Sequence, residues 1–292
     1  GASMTSYLSI QNLTIQLITG PLILRSISLE VAVGQVHGLV GESGAGKSMI
    51  GKAVLGTLPR ALRITAGKII LDGVDLLTLS AKERRRIIGA TAALIPQDPL
   101  TALNPSKRIG PQITKRLVDI LGWARRDAIS RTRALLDEVH IADADRVMRS
   151  YPHELSGGMR QRILIASAFA AEPKLIIADE PTTALDVTVQ KQILKLMAEM
   201  QRSHGTTLLF VTHDLGVVSK VCDTLSVLYA GKVIEEARMR RFFMRPTHAY
   251  SRALLAATPT HTNPEATLTP VSNDIIKAVE QEVIEHDLRH SQ

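Results

Sequence analysis

The chain has 292 residues, 45% of them hydrophobic, and its 35 lysines and arginines outnumber 28 acidic residues to give a net charge of +7. This apolar content can fill the core of one large α/β domain or two smaller ones, which excludes a mainly disordered chain. No apolar run approaches the ~18 residues that a membrane-spanning helix needs. The single cysteine, Cys222, excludes a metal site built from several thiolates.

The first 60 residues predict antiparallel strands, then a buried strand and a helix. Apolar and β-branched runs at 8–10, 13–18 and 27–33 are separated by turn residues, which indicates antiparallel strands. The apolar run 36–40 leads directly into glycines, as a buried central strand does. A helix is expected from 47 to about 58, just before a proline.

The remainder of the chain predicts a helical insertion and then alternating strands and helices. Ser80 and Glu83 have the spacing of a capping box. From 98 to about 151 the composition is charged and helical, whereas later apolar strands alternate with helices and predict a mostly parallel sheet. These strands are expected at 175–178, 207–211 and 225–229.

The stretch after residue 258 predicts a linker followed by a last helix. Residues 258–273 are rich in proline, threonine and asparagine, and 274–288 have apolar residues at helical spacing. Neither part contains a motif that binds phosphate or metal. We therefore expect the tail to be dispensable for chemistry.

A phosphate-binding motif lies between the buried strand and the first helix. It has the pattern GxxxxGK[ST] and consists of Gly41, Glu42, Ser43, Gly44, Ala45, Gly46, Lys47 and Ser48. The glycines let backbone N–H groups and the helix N-terminus face a β-phosphate. Lys47 is expected to reach the β- and γ-phosphates, and the Ser48 hydroxyl to ligate Mg²⁺.

Two acids follow the strand predicted at 175–178. Open α/β sheets place ligands at the carboxyl ends of their strands, which favours a role for Asp179 and Glu180 in the same site. Asp179 is expected to hold Mg²⁺, directly or through water, and Glu180 to polarise the attacking water. These motifs indicate nucleoside triphosphate hydrolysis, but kinases, helicases and GTPases share them.

The stretch 155–162, Leu-Ser-Gly-Gly-Met-Arg-Gln-Arg, separates these classes. It places Ser156, Gly157 and Gly158 at the start of an apolar helix, where a hydroxyl, bare N–H groups and the positive dipole end face an anion. Over about residues 7–257 the chain resembles the ATP-binding cassette family, with the motifs in the family order. The resemblance implies that this signature loop, with Gln161, closes over ATP on the opposite subunit of a sandwich dimer.

The resemblance also gives roles to three single residues. Gln97 matches the loop that touches Mg²⁺ and joins the core to the helical lobe. His213 matches the switch histidine that contacts the γ-phosphate, and Asp186 matches a loop that crosses the dimer interface. With Glu180 and His213 present, the site is expected to hydrolyse ATP.

The adenine position departs from the family pattern. Family members usually stack an aromatic residue on adenine, whereas the best-aligned residue here is Leu17. Stacking contributes ~1–3 kcal/mol per base in nucleic-acid binders, so a leucine is expected to hold adenine less tightly. Tyr7 is a nearby candidate to replace it.

The resemblance implies an α/β P-loop fold with an antiparallel β subdomain and an inserted helical subdomain. The implied domains are an ATPase core of 4–97 and 155–257, a helical subdomain of 98–154, and a linker with C-terminal extension of 258–292. In the family, a lobe such as 98–154 borders the groove that receives a cytoplasmic helix of the permease.

Several stretches are most similar to the ATPases of bacterial peptide and nickel importers. The most specific is Arg245-Pro246-Thr247-His248, because it lies outside the general ATPase machinery. The resemblance implies ATP and Mg²⁺ as cofactors, membrane permease subunits and a second ATPase subunit as partners, and an indirect link to a solute-binding protein. The expected location is peripheral, on the cytoplasmic face of the bacterial inner membrane.

Some alternatives stay open at this point. The cargo is a peptide, a nickel complex or a related small solute, and the ATPase pair is a homodimer or, as often in the family, a heterodimer. A non-transport cassette ATPase acting on nucleic acid or ribosomes is favoured only by the basic charge, and we expect no nucleic-acid partner. The signature loop and Gln97 disfavour a free-standing kinase or GTPase.

Overall fold

A computed structural model describes residues 5–42, 44, 46–258 and 271–290 of the chain. They form two compact units: unit 1 is drawn from residues 1–85 and 207–292, and unit 2 from residues 86–206. The predicted helical subdomain, 98–154, lies within unit 2. Unit 2 also contains strands and helices that the sequence assigns to the ATPase core.

Unit 1 opens with an antiparallel sheet in the order β2-β1-β4-β5. Its strands are β1 (Ser6–Leu17), β2 (Leu22–Ala32), β4 (Leu62–Leu71) and β5 (Val74–Asp75). The prediction of two separate strands at 8–10 and 13–18 is wrong, because β1 is continuous. Its pairing register with β2 shifts between Ile10 and Leu13, and Asn12 adopts a φ of 50° there, so a bulge takes the place of the expected turn.

A second sheet region of unit 1 has the strand order β10-β9-β3-β8. Its strands are β3 (Val36–Val40), β8 (Thr207–Thr212), β9 (Thr224–Tyr229) and β10 (Lys232–Arg238). Strand β3 runs parallel to both β8 and β9, and β10 pairs antiparallel with β9. All five residues of β3 are buried, as its apolar sequence predicts for a central strand.

The helices of unit 1 cover and extend this region. They are α1 (Lys47–Leu55), α9 (Leu215–Val221), α10 (Met239–Met244), α11 (Ala249–Ala256) and α12 (Asn273–His290). Helix α1 ends three residues earlier than predicted, because Gly56 takes a left-handed φ of 73° and its N–H caps the last turn. Helix α12 confirms the predicted last helix, and the residues 259–270 of the predicted linker lie outside the described residues.

Unit 2 combines a pair of parallel strands with several helices. Strand β6 (Ala92–Ile95) pairs with β7 (Leu175–Asp179). Helix α2 (Ala81–Thr91) leads into the unit, and the Glu83 N–H donates to the Ser80 hydroxyl, as its capping spacing predicts. The other helices are α3 (Pro99–Ala102), α4 (Ile109–Asp119), α5 (Arg125–Glu138), α6 (Ala144–Arg149), α7 (Gly157–Ala170) and α8 (Val187–His204).

Candidate nucleotide-binding site

The phosphate loop connects buried strand β3 to helix α1 in unit 1. Gly44 and Gly46 have φ values of 85° and 90°, which residues with a Cβ rarely adopt, so the glycines fit the local backbone. Lys47 is the first residue of α1 and is only 4% exposed, and Ser48 follows it, partly exposed. Ser43 and Ala45 lie outside the described residues. The loop therefore brings a helix N-terminus and a buried cation together, which suits a phosphate.

Strand pairing places His213 at the same sheet edge as the phosphate loop. Val40, the last residue of β3, is opposite Thr212, the last residue of the parallel strand β8. Because parallel strands end at a common edge, His213 and Gly41 both follow directly at that edge. His213 is exposed, and Asp214 caps α9 by accepting from the N–H groups of the next turn.

The two acids of unit 2 follow strand β7 as predicted. Asp179 is its last residue, and both Asp179 and Glu180 are half-buried. Glu180 has a φ of 44°, a left-handed conformation that is uncommon for a residue other than glycine. The Glu180 carbonyl accepts from the Thr183 N–H at 3.3 Å, which fixes the turn.

Gln97 lies at the same edge of this strand pair. Ile95, the last residue of β6, is opposite Ala178 of β7, so the segment after each strand leaves the pair side by side. Gln97 is exposed in the segment after β6. Unit 2 thus brings an exposed amide side chain to the edge that carries Asp179 and Glu180.

The signature loop forms the N-terminus of α7. The Ser156 hydroxyl accepts from the Met159 N–H at 3.2 Å, and Gly157 has no neighbouring atom within 4 Å of the position that a Cβ would occupy. Ser156 and Gly157 are exposed and Gly158 is half-exposed. The loop therefore leaves an open helix N-terminus that can accept an anion.

Gln161 differs from the other residues of this stretch. Its side chain is completely buried, and Nε2 donates to the Pro181 carbonyl at 2.7 Å. The sequence assigned Gln161 to the nucleotide site, whereas the buried amide ties α7 to the residue directly after Glu180. Asp186 is exposed, and its carboxylate caps α8 by accepting from the Val189 N–H at 2.9 Å.

The candidate adenine contacts lie on β1. Leu17 is the half-exposed last residue of this strand, paired with Leu62. Tyr7 is only 5% exposed, so its ring cannot stack on a base and the suggestion that it replaces the aromatic residue is wrong. Leu17 keeps its place as the expected neighbour of adenine.

Sequence reasoning passed over His37, which lies inside strand β3. The ring is 1% exposed, with Nδ1 2.6 Å from the Thr224 hydroxyl and Nε2 2.8 Å from the Ser226 hydroxyl of β9. Burial lowers the pKa of His37 to about 4. The available signal was a polar residue within an apolar strand. Another strand carries two hydroxyl residues two positions apart, which lie on one face of that strand.

Two features are absent from the described part of the chain. No cluster of three or more histidine, cysteine, aspartate or glutamate residues that could hold a metal occurs among the described residues. No helix within the described ranges is both long and apolar enough to cross a membrane.

Comparison with known proteins decides between the classes that share a phosphate loop. A family model described as ABC transporter matches residues 24–183. The chain belongs to the ABC transporter family. A second model, described as an AAA domain of a putative AbiEii toxin, matches the shorter range 149–219.

Individual relatives agree with this family. The chain is 45% identical to the dipeptide transport ATP-binding protein DppD of Haemophilus influenzae, over 80% of this chain and 71% of that protein. It is 42% identical to DppD of Bacillus subtilis, over 92% of this chain and 81% of that protein.

The solved structure of a dimeric ATP-binding cassette, MJ0796, in a post-hydrolysis state bound to ADP and Pi superposes with a TM-score of 0.69. The two chains are 25% identical, and the match covers 80% of this chain and 99% of that one. The chain is therefore an ATPase of the ABC family.

Proposed function

We propose that this ABC ATPase powers a bacterial importer of peptides. The observation that carries the proposal is the 42–45% identity to proteins named for dipeptide transport, which extends over at least 80% of the chain. The full set of cassette motifs supports a site that hydrolyses ATP instead of only binding it. The protein would act at the cytoplasmic face of the inner membrane, bound to integral-membrane permease subunits.

The chain's own residues account for ATP binding. Lys47, buried at the start of α1, would bind the β- and γ-phosphates, and the N–H groups of the phosphate loop would surround the β-phosphate. Leu17 would lie against adenine without stacking. His213 would contact the γ-phosphate from the sheet edge that it shares with the loop.

The donor set fits Mg²⁺. The side chains of Ser48, Asp179 and Gln97 offer hydroxyl, carboxylate and amide oxygens, which are hard ligands of the kind that Mg²⁺ takes. Mg²⁺ usually binds to one or two carboxylates together with substrate phosphates, and Asp179 would supply the carboxylate here. The bound ion would neutralise charge that develops on the phosphates.

Hydrolysis requires a base and a second subunit. Glu180, held in its left-handed conformation, would orient and polarise the attacking water. The open N-terminus of α7, with Ser156, Gly157 and Gly158, would bind the γ-phosphate of ATP held by another ATPase subunit. Asp186 would lie at that interface, and the partner is a second copy or a paralogous chain.

A cleft in unit 2 supports the permease as a partner. It has a volume of about 530 Å³, and Val118, Ile129 and Met148 line it beside the basic side chains of Lys107 and Lys115. An amphipathic helix with acidic residues at its edges would match both the apolar floor and the charge. We propose that a cytoplasmic helix of the permease binds in this cleft.

Reconstitution tests this function. The protein would be combined with its cognate permease and solute-binding protein in proteoliposomes, and ATP hydrolysis and uptake would be measured with dipeptides, oligopeptides and Ni²⁺ chelates. Peptide-stimulated hydrolysis with peptide uptake is the expected result, and stimulation by nickel alone would transfer the protein to the nickel-type importers. Failure to co-purify with a permease, together with stimulation by RNA or ribosomes, would refute the transport role.

Ile129→Glu tests the docking cleft. A charge on the apolar floor should abolish co-purification with the permease. The matched control is Ile120→Glu, because Ile120 is 64% exposed and does not line the cleft. Equal permease binding by the two variants would rule out the cleft.

A further inference from the structure

Strand β2 and the turn between β9 and β10 support the phosphate loop. A Cβ placed on Gly46 would lie 2.7 Å from Cδ2 of Leu24, 3.3 Å from the carbonyl oxygen of Ile23 and 3.4 Å from Cα of Gly231. Ile23, Leu24 and Gly231, which we call the loop seat, therefore lie directly against the residue before Lys47. A displacement of the loop seat would displace the start of α1.

Arg25 joins the two parts of the loop seat. Its backbone N–H donates to the Gly231 carbonyl at 2.7 Å, and Nη1 of its guanidinium donates to the Ala230 carbonyl. Gly231 also packs tightly on β2, since a Cβ there would lie 1.9 Å from the Ile23 carbonyl oxygen. Arg25 thus holds the turn against β2 through both its backbone and its side chain.

Helix α12, near the C-terminal end of the described residues, holds the Arg25 side chain in place through Asp287. Nε donates to Oδ1 of Asp287 at 2.8 Å, and the Arg25 side chain is only 15% exposed. Burial raises the pKa of Asp287, but hydrogen bonds from Arg25 and His286 and their charges outweigh it, so the pKa lies below its ordinary value. The carboxylate is therefore ionised at neutral pH and forms a charge-assisted bond.

Two further bonds hold α12 on the same region of unit 1. Glu280 accepts from the Tyr229 hydroxyl at 3.3 Å, next to the turn that belongs to the loop seat. Glu282 is 2.9 Å from Nε2 of His248, the residue that caps α11. Helix α12 is thus fixed at three points, which limits the freedom of Asp287 and of the guanidinium that it binds.

We propose that Arg25 and Asp287 are positioning residues that preorganise the phosphate loop, so that helix α12 sets the affinity for ATP. The proposal rests on the binding of ATP by the phosphate loop proposed above. A loop already held in its binding conformation loses less entropy when the phosphate arrives. The sequence predicts a tail that is dispensable for chemistry, and the contacts instead assign the tail a role in affinity.

Calorimetric titration with ATP and Mg²⁺ on the full chain tests the proposal. Arg25→Gln and Asp287→Asn should each raise the Kd, at most by about 10- to 150-fold, which corresponds to losing the whole of a charge-assisted hydrogen bond. The Kd of the double variant should be no higher than that of the single variant that binds ATP less tightly, because the two residues act as one unit. Glu285→Gln is the matched control, since Glu285 lies on α12 and is exposed.

Further measurements separate positioning from loss of fold and from failure of the proposed function. In the assembled transporter, the KM for ATP should rise by a larger factor than kcat falls, and Arg25→Lys should recover part of the affinity. Lys47→Ala should abolish ATP binding. If this variant still binds ATP, the proposed function is overturned. If Lys47→Ala loses binding but Asp287→Asn binds ATP as the parent does, the positioning role is refuted. Additive effects of Arg25→Gln and Asp287→Asn would also refute it.

Discussion

His37 makes the folded protein sensitive to mild acid. The neutral ring lies between the hydroxyls of Thr224 and Ser226, at 2.6 and 2.8 Å, and the pKa of His37 is lowered to about 4. In the unfolded chain a histidine has a pKa of about 6.5. The unfolded state therefore takes up a proton between these values while the folded state does not, so stability falls as the pH falls through this window.

The size of the effect follows from this difference in pKa. One pKa unit corresponds to about 1.4 kcal/mol. Above pH 6.5, His37 therefore contributes about 3 kcal/mol to the free energy of unfolding, and this contribution is lost by pH 4. At pH 5 the unfolded state is almost fully protonated, and about 2 kcal/mol is already lost. The His37→Gln variant keeps a hydrogen-bond donor and an acceptor but does not titrate. Its stability should therefore not show this loss at low pH.

Urea unfolding followed by circular dichroism at pH 7.5 and pH 5.0 measures the effect. Between pH 7.5 and pH 5.0, the free energy of unfolding should fall by about 2 kcal/mol more in the parent than in His37→Gln. His153→Gln, at an exposed histidine, is the control and should behave as the parent does. An NMR titration of the His37 ring with a midpoint near 6.5, or equal losses in parent and His37→Gln, would refute the argument.

Three substitutions test the assigned roles of the nucleotide site. Glu180→Gln should lower hydrolysis by ~10²–10⁴-fold, the scale of a lost general base, and leave ATP binding intact; turnover at the parent rate in the assembled transporter contradicts the role. Leu17→Tyr should tighten ATP binding by up to ~1–3 kcal/mol in calorimetry if the side chain faces adenine, whereas no gain removes Leu17 from the base contact. Gln97→Ala should lower uptake and permease-stimulated hydrolysis in proteoliposomes much more than it weakens ATP binding, and unchanged coupling excludes Gln97 from the path to the permease.

The placement of the phosphate loop, the acids after β7 and the signature loop at the ends of strands and helices could be predicted from the sequence. Each is a short contiguous segment whose chemistry depends on neighbours along the chain: glycines before a helix, carboxylates after an apolar strand, a serine before two glycines. The antiparallel strands and the last helix followed from local periodicity in the same way. Errors occurred where local signals were weak, as at the bulge near Asn12 that joins two expected strands.

Contacts between distant segments could not be derived in this way. The register that sets Val40 opposite Thr212 places His213 at the sheet edge of the phosphate loop. The burial of Gln161 against the Pro181 carbonyl is likewise a contact between segments that are distant in sequence. Arg25 and its partner on α12 are separated by 262 positions. Such pairs depend on which surfaces meet when the whole chain packs. The role of a charged side chain depends on its burial and on its partner, and the residues beside it in sequence determine neither of these.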